Sequence, residues 1–286
     1  MSQHTPKDSH YARLRRQYRD RQAPSYKQPN KDMNQKTTIP ATKTVNGQIH
    51  LYGFHTVEAA LKNPARRAFR LYCSPNAFKR LNQKEASLPC PLTLTSPKEL
   101  DRLVGSDAVH QGIILETEPL KPRALSALSD TNLVLLLDQI TDPHNVGAIL
   151  RSAVAFKAGA LITTHRHSSQ ESGVLAKSAS GALEMIDHIS VRNLSETLNT
   201  LHEIGFISIG LDSEGPCLLE KSLHGKKIAL ILGAEGRGLR QKTRTTASRL
   251  ARLDMPGLIK SLNVSNAAAI ALYATHNYLR GQTPPF

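Results

Sequence analysis

The feature that most constrains the fold is a series of apolar segments in the C-terminal half of the chain, each followed by a helical segment. The segments NLVLLLDQI at 132–140 and KIALILG at 227–233 are almost entirely apolar. A strand has this composition when helices cover both faces of a parallel sheet. Shorter strand patterns lie between them at 160–164, 188–193 and 207–212. This alternation predicts an α/β fold, an open parallel sheet with helices on both faces.

The connecting segments have the spacing and the end signals of helices. Ser195 is an expected N-cap, and Gly159 is an expected helix end. The last helix begins with the small and polar residues SLNVSNAAA. The predicted helices cover 145–159, 171–184, 195–206, 239–249 and 261–280.

A smaller α/β unit precedes this sheet. The segment SPKELDRLVG has Ser96 as N-cap, Pro97 at the first helical position and Gly105 at the end. Strand patterns flank it at 69–74 and 110–118. We therefore divide the chain into a basic tail, a small domain, a linker and a parallel-sheet domain, at 1–47, 49–118, 119–130 and 131–286.

The charge of the chain indicates a polyanionic partner. The formal net charge is +14, and residues 1–47 supply half of it with ten Lys/Arg against three Asp. A cationic excess of this kind favours phosphate binding, although a merely soluble basic protein is the alternative. The tail has too few apolar residues to fold, so we expect it to be disordered. Its Arg/Tyr mixture at 11–21 suits RNA contacts, and a solvated linker is an equal alternative.

The cysteines indicate a reducing compartment. Cys73, Cys90 and Cys217 are odd in number and contain no CxxC pair. Disulfide frameworks and zinc sites need paired or clustered thiolates, so we expect no metal. The sequence contains no run of about 18 apolar residues, so we expect no membrane span. No apolar segment near the N-terminus resembles a secretory signal. We expect a cytoplasmic protein.

Three segments carry residues that a core does not require. The first, DPHNVGAILRSA at 142–153, follows the first sheet strand, where α/β proteins bind ligands. Asn145 and Arg151 are the candidate site residues. Asn145 could instead cap the helix, and Arg151 could be an ordinary solvated helix residue.

The second segment, LGAEGRGL at 232–239, surrounds Glu235 with glycines at 233, 236 and 238. Glycine permits positive φ and close backbone approach. The spacing is GxxGxG, which differs from the GxGxxG of dinucleotide-binding folds, and the GK[ST] of a P-loop is absent. A plain turn remains an alternative.

The third segment is LDMPGLIKSLNVSNAAA at 253–269. Ser261 or Asn263 could cap the helix that follows, or could present hydroxyl and amide groups to a crevice. The small residues of this segment suit close packing against a crossing chain or a second subunit.

Together the segments resemble the SpoU-type (TrmH-type) ribose methyltransferases of the SPOUT superfamily. The family patterns N-x-G-x-x-x-R, L-G-x-E-x-x-G-L and I-P-M-x-G-x-x-x-S-L-N-V-S occur here in order. Leu253 and Asp254 depart from the usual Ile and Pro, and Pro appears at 256 instead. Upstream, LYGFHTVEAALKN and HQGI resemble the substrate-binding domain of the RlmB-like 23S rRNA guanosine-2′-O-methyltransferase subfamily. The resemblance covers about residues 49–281.

This resemblance implies a deep trefoil knot in the C-terminal domain, with a small RNA-binding α/β domain before it. It implies that S-adenosylmethionine binds in the knot, mainly to backbone, at Gly233, Leu253 and Leu262, with Met255 and Asn263 nearby. It also implies a homodimer, with Arg151 or the RNA crossing the interface.

The implied reaction is 2′-O-methylation of a guanosine ribose in 23S rRNA. Arginine stays protonated and is a poor base, so we expect Arg151 to hold the target phosphate or ribose. Asn145 and Ser261 would orient the hydroxyl, with Asn263 beside them. Glu235 would order the glycine loop or bind the substrate, and a purely structural Glu235 is an alternative.

Three other functions remain open at this point. A tRNA ribose methyltransferase would share the same motifs, and a non-catalytic rRNA-binding assembly factor would share the fold. A dinucleotide-dependent oxidoreductase would need a different glycine spacing.

Overall fold

The computed structural model describes residues 47–128 and 130–281, which contain two β-sheets with their covering helices. The expected basic tail lies, except for Gly47, outside the described residues. Among the residues described, no helix combines the length and the apolar character that a membrane span requires.

The first sheet has four strands in the order β1-β4-β2-β3, in which β2 and β3 are parallel and the other two neighbouring pairs are antiparallel. Its strands are β1 (Ile49–Tyr52), β2 (Ala68–Cys73), β3 (Leu92–Leu94) and β4 (Ile113–Thr117), and its helices are α1 (Phe54–Lys62), α2 (Pro75–Leu81) and α3 (Pro97–Val104). The predicted ends of α3 are confirmed. Ser96 and Glu99 form a capping box, and Gly105 ends the helix at φ 95°.

The second sheet has seven strands, all parallel, in the order β7-β6-β5-β10-β8-β11-β9. Its strands are β5 (Leu133–Asp138), β6 (Ala160–Thr164), β7 (Asp187–Val191), β8 (Ile207–Leu211), β9 (Cys217–Leu218), β10 (Ile228–Gly233) and β11 (Arg249–Arg252). Its helices are α4 (Pro143–Ala155), α5 (Gly173–Ala179), α6 (Leu194–Glu203), α7 (Leu219–Ser222), α8 (Gln241–Thr246) and α9 (Val264–Gly281). The α/β expectation is confirmed.

Burial on both faces explains the apolar runs. In β5, Leu133, Leu135 and Leu137 belong to the core on one face, with α4, α5 and α9. Val134 and Leu136 belong to the core on the other face, with α6. Each face therefore removes alternate aliphatic side chains from water, which is the main stabilising term of such a sheet.

Several predicted boundaries are wrong. The cap of α6 is Asn193, whose side chain accepts a hydrogen bond from Ser195 N at 3.0 Å, so Ser195 is already inside the helix. The predicted helix at 171–184 ends as α5 at Ala179, where Ser180 adopts a left-handed conformation. The predicted basic helix at 239–249 is the short α8, and strand β11 follows it.

A buried charge cluster joins the two sheets. The guanidinium of Arg66, which follows α1, is fully buried and forms ion pairs with Glu171 and Glu184 of the second sheet's unit. Its Nη1 donates to Glu171 Oε1 at 2.6 Å and to the carbonyl of Glu118 at 2.9 Å. One cation is therefore shared by two carboxylates away from water.

Candidate functional site

The candidate site lies at the carboxyl ends of the central strands, where open parallel sheets bind ligands. A cleft of about 470 Å³ opens there between two loops. One loop is 233–239, the glycine loop after β10. The other is 253–263, which connects β11 to α9. Most residues that line the cleft come from these two loops and from the end of β8.

The glycine loop folds tightly on itself. Gly238 N donates to the carbonyl of Ala234 at 2.8 Å, and both Gly236 and Gly238 have positive φ. A Cβ added at Gly233 would lie 2.2 Å from the carbonyl carbon of Gly238. Glycine at 233 is therefore required by the backbone of the loop, before any ligand is considered.

A buried carboxylate fixes the end of this loop. Asp138, the last residue of β5, is fully buried. It accepts hydrogen bonds from Arg240 N at 3.0 Å and from Arg240 Nε at 2.6 Å. A charge-assisted pair of this kind holds the loop against the neighbouring strand.

Glu235 collects hydrogen bonds from two distant parts of the chain. Its Oε1 accepts from Asn263 Nδ2 at 2.9 Å, from Val264 N at 3.2 Å and, more weakly, from Asn145 Nδ2 at 3.4 Å. Asn263 Nδ2 also donates to Asn145 Oδ1 at 3.0 Å. The residues Asn145, Glu235 and Asn263 thus form one cluster at the edge of the cleft. No hydrogen bond reaches Glu235 Oε2 from any other described residue.

The two predicted capping roles have different outcomes. Asn263 Oδ1 accepts from Ser265 N at 2.8 Å, so Asn263 caps α9 while its amide holds the cluster. Asn145 is not a cap, because Asp142 accepts from His144 N at 3.0 Å and occupies the N-cap of α4. The amide of Asn145 is therefore used in the cluster. Ser261 precedes the helix and does not cap it.

The structure brings most of the expected site residues together. Gly233, Glu235, Leu253, Met255, Ser261 and Leu262 all line the cleft. Asn145 and Asn263 join it through Glu235.

Arg151 is the exception. It is exposed, it does not line the cleft, and no side-chain hydrogen bond or ion pair joins it to the part of the chain that the structure describes. It lies six residues after Asn145 in α4, which places the two about 120° apart around the helix. Within one chain, Arg151 is therefore separate from the cluster.

The cleft also contains an ion pair that the sequence motifs did not indicate. Asp212, directly after β8, pairs with Arg244 of α8, and both line the cleft with Glu214. The motifs did not indicate the buried Asp138 either. Each of these aspartates is a lone carboxylate at the end of an otherwise apolar strand, which is a usable signal for a residue at the binding edge.

The opposite loop is held by its own backbone contact. Lys260 Nζ donates to the carbonyl of Met255 at 2.7 Å. Leu258 and Ile259 between them are strongly exposed. Among the described residues, no group of His, Cys, Asp or Glu is arranged to hold a metal ion.

Comparison with known families gives two matches in the same order as the two sheets. Residues 50–123 match the model described as RNA 2′-O ribose methyltransferase substrate binding. Residues 132–273 match the SpoU rRNA methylase family.

Curated relatives match over most of the chain. The 23S rRNA (guanosine-2′-O-)-methyltransferase RlmB of Ralstonia nicotianae is 36% identical over 231 residues, which are 78% of this chain and 93% of the relative. The protein of the same name from Coxiella burnetii is 35% identical over 82% of this chain and 97% of its own.

Solved structures share the fold at lower identity. The SpoU methyltransferase AviRb from Streptomyces viridochromogenes, in complex with AdoMet, superposes with a TM-score of 0.69 at 21% identity, covering 82% of this chain and 91% of its own. An AdoMet-bound rRNA methyltransferase from Sinorhizobium meliloti superposes with a TM-score of 0.69 at 18% identity, covering 82% of this chain and 88% of its own.

Proposed function

The chain belongs to the SpoU rRNA methylase family, and on that premise we propose that it methylates a ribose 2′-hydroxyl in RNA with S-adenosylmethionine. We propose a guanosine of 23S rRNA as the target. The relatives named 23S rRNA (guanosine-2′-O-)-methyltransferase RlmB align with this chain over 93–97% of their own length. One observation carries the proposal. The cleft between the glycine loop and 253–263 has the Asn145–Glu235–Asn263 cluster at its edge.

The cleft fits the proposed cofactor in size and chemistry. Its volume of about 470 Å³ lies within the range of small-molecule sites. Leucines at 253 and 262 offer an apolar surface to the adenine, and backbone at Gly233 offers polar groups. The carboxylates of Asp212 and Glu214 suit a ligand that carries hydroxyls and positive charge. We propose Gly233, Leu253, Met255 and Leu262 as the cofactor-binding residues.

The cofactor, when bound, supplies an electrophilic methyl carbon on a good leaving group. The residues of the chain must then align the ribose oxygen and help its hydroxyl lose a proton. Three donors fix Glu235 through Oε1, which leaves Oε2 to accept a hydrogen bond from the substrate. Asn145 and Ser261 orient the hydroxyl in this proposal.

We propose that Arg151 acts from a second copy of the chain. Its isolation from the cluster within one chain favours this arrangement. An apolar surface suited to a homodimer lies nearby. Ile270 and Tyr273 of α9 are about half exposed, and Tyr273 stacks edge-on against Phe156, which directly follows α4. In such a dimer the guanidinium would hold the target phosphate or ribose.

We also propose a knotted fold and separate roles for the segments of the chain. The loop at 253–263 runs beside the glycine loop before α9 begins, which supports a trefoil knot in the parallel-sheet domain. We assign 49–118 to RNA selection, 119–130 to a linker and 131–286 to catalysis, with 1–47 as a basic tail. The reaction would take place in the cytoplasm, where rRNA is the substrate.

The test is methyl transfer by the full chain to 23S rRNA transcripts, with mapping of 2′-O-methyl sites. We expect Arg151→Ala to abolish transfer and to leave cofactor affinity within a few-fold, measured by calorimetry. Arg151→Lys is the matched variant, because it keeps the charge and loses the planar fork. Transfer by Arg151→Ala at the wild-type rate would remove Arg151 from the site.

A mixing experiment tests the second copy directly. Arg151→Ala and Asn145→Ala are each expected to be inactive. In a mixed dimer, one site would combine an intact Asn145 with an intact Arg151 from the other chain. Recovered activity on mixing supports action across the interface, and its absence in verified mixed dimers contradicts it.

A further inference from the structure

Two more clefts lie at the same carboxyl edge of the parallel sheet, on the side of β7 and β6. Their volumes are about 760 Å³ and 480 Å³. Both are lined by Arg192 and Arg240, so they form one continuous surface. We name this surface the basic edge and define it by its charged residues Arg166, Arg192, Glu196, Arg240 and Lys242.

The positive charge of the basic edge is only partly neutralised by the described residues. Its four cationic side chains face two carboxylates, that of Glu196 on the surface and that of the buried Asp138, which pairs with Arg240. Arg166, Arg192 and Lys242 are exposed, and their side chains have no hydrogen-bond or ion-pair partner among the described residues. Arg240 is held through Nε by Asp138 at 2.6 Å, and its two terminal nitrogens have no hydrogen-bond partner among the described residues. The surface is suited to bind an anion of extended shape.

The basic edge also lies close to the cofactor cleft. The sheet order places β7, β6, β5 and β10 side by side, so Arg192 after β7 is three strand spacings from the glycine loop after β10. That distance is about 14 Å at the usual spacing of parallel strands. Arg240 is closer still, since it directly follows Leu239 of the cofactor cleft. A chain that crosses the basic edge therefore reaches the cluster within a short length.

We infer that the basic edge binds the phosphodiester backbone of the RNA strand that flanks the methylated ribose. This inference rests on the proposed function for its partner and extends it to a specific surface. Guanidinium groups match phosphate oxygens with two parallel hydrogen bonds. No Phe or Tyr of the described chain lines either cleft, and the only aromatic rings among the described lining residues are the imidazoles of His165 and His167, so cationic groups predominate. Phosphate contacts position a strand without reading its sequence.

The experiment compares two double variants of the full chain that lose the same charge. Arg192→Gln with Lys242→Gln neutralises the basic edge and leaves Arg240 and its contact to Asp138 intact. The control, Lys221→Gln with Lys226→Gln, removes two exposed lysines that line none of the three clefts. Binding of a short labelled single-stranded RNA of mixed sequence is measured by fluorescence anisotropy over a range of salt.

Each lost phosphate contact lowers the salt slope by about 0.7 for a single strand, which is about a fivefold loss of affinity at 0.1 M salt. We therefore expect the basic-edge variant to bind about 25-fold more weakly, with the slope reduced by about 1.4. The control should change far less. The loss should be equal for two RNAs of unrelated sequence.

The outcomes separate this inference from the proposed function. If the wild type methylates RNA but both double variants bind it equally well, the basic edge is not the phosphate surface and the proposed function stands. If the basic-edge variant alone loses affinity while the wild type transfers no methyl group, the surface stands and the proposed function falls. A loss confined to one RNA sequence would overturn the phosphate assignment. Thermal unfolding checks each variant, and Arg166→Gln with Lys242→Gln replaces the first pair if it fails to fold.

Discussion

The buried cluster around Arg66 allows a sharp test of how the two sheets are held together. Replacing Arg66 with Met keeps an unbranched side chain about as far as Nε and removes the charged end of the guanidinium. The carboxylates of Glu171 and Glu184, whose side chains are only 11% and 3% exposed, would then have no cation beside them. Removing one partner of a buried ion pair costs about 3–5 kcal/mol, because the other charge stays buried and uncompensated.

Removing the charge of one acidic partner, with Arg66 kept, should cost much less. In Glu171→Gln, Arg66 keeps its ion pair with Glu184, and the amide oxygen can still accept from Leu120 N, which now binds Glu171 Oε2 at 2.8 Å. The cost is that of weakening one hydrogen-bonded contact, about 1 kcal/mol. We expect the triple variant Arg66→Met, Glu171→Gln, Glu184→Gln to recover part of the loss of the single Met variant, since no ionised group then remains buried.

The assay is urea unfolding at neutral pH, followed by circular dichroism and extrapolated to water. Arg66→Met should lower the free energy of unfolding by at least about 2 kcal/mol more than Glu171→Gln does. Equal losses for the two variants would show that the cluster is solvated in solution, and the reasoning from burial would fail.

The same cluster predicts a pH dependence. Burial raises the pKa of Glu171 above its ordinary value of 4.5, and the nearby Arg66 opposes that shift only in part. A raised pKa in the folded state means that this group stabilises the fold fully below the unfolded pKa, and that the contribution is lost as pH rises through the folded pKa. As the pH falls from neutral to about 4.5, the wild type should therefore gain stability relative to Glu171→Gln. A constant difference over that range contradicts the shift.

Three further changes test the site and the tail. Gly233→Ala should lower cofactor affinity by about 5- to 150-fold in calorimetry, since the added Cβ displaces the backbone of Gly238 and binding must restore the loop at a cost of about 1–3 kcal/mol, and unchanged affinity in folded protein would contradict this. Asn263→Ala should destabilise the protein by about 1 kcal/mol through loss of a helix cap and should also reduce methyl transfer; loss of stability with full activity would make Asn263 a cap alone. Deleting 1–47, which carries +7, should weaken RNA binding and its salt dependence, whereas a change of the methylated nucleotide would make the tail a reader of sequence.

The central strands were predictable because their physical cause is simple. Strands β5 and β10 are covered on both faces, so their residues are aliphatic throughout. Strand β11 lacks that signal. It has four residues, RLAR, of which only Ala251 is buried, and it lies beside the two-residue β9. A strand near the edge of a sheet can carry charged residues, so its pattern merges with that of the basic helix before it.

The candidate site was predictable in composition more than in geometry. The three residues of the cluster, Asn145, Glu235 and Asn263, each lie in a segment that follows the carboxyl end of a strand. Their proximity therefore follows from the topology of the sheet. The hydrogen-bond partners within the cluster do not follow from the topology. Asp142 competes with Asn145 to cap α4, and Asn263 competes with Ser261 to cap α9. The isolation of Arg151 within one chain depends on its angle around α4 and on what packs there.

The cluster at the edge of the cleft also determines when, during synthesis, the chain acquires its site. Asn263 lies 118 residues after Asn145 and 28 after Glu235, and its amide binds both. All the strands of the parallel sheet end before it, at Arg252. A nascent chain therefore contains every strand of the sheet while its carboxylate at Glu235 still lacks the first turn of α9. The site forms last, when that final segment leaves the ribosome and docks, so a chain cut short before residue 264 would lack both its activity and the helix that covers one face of the sheet.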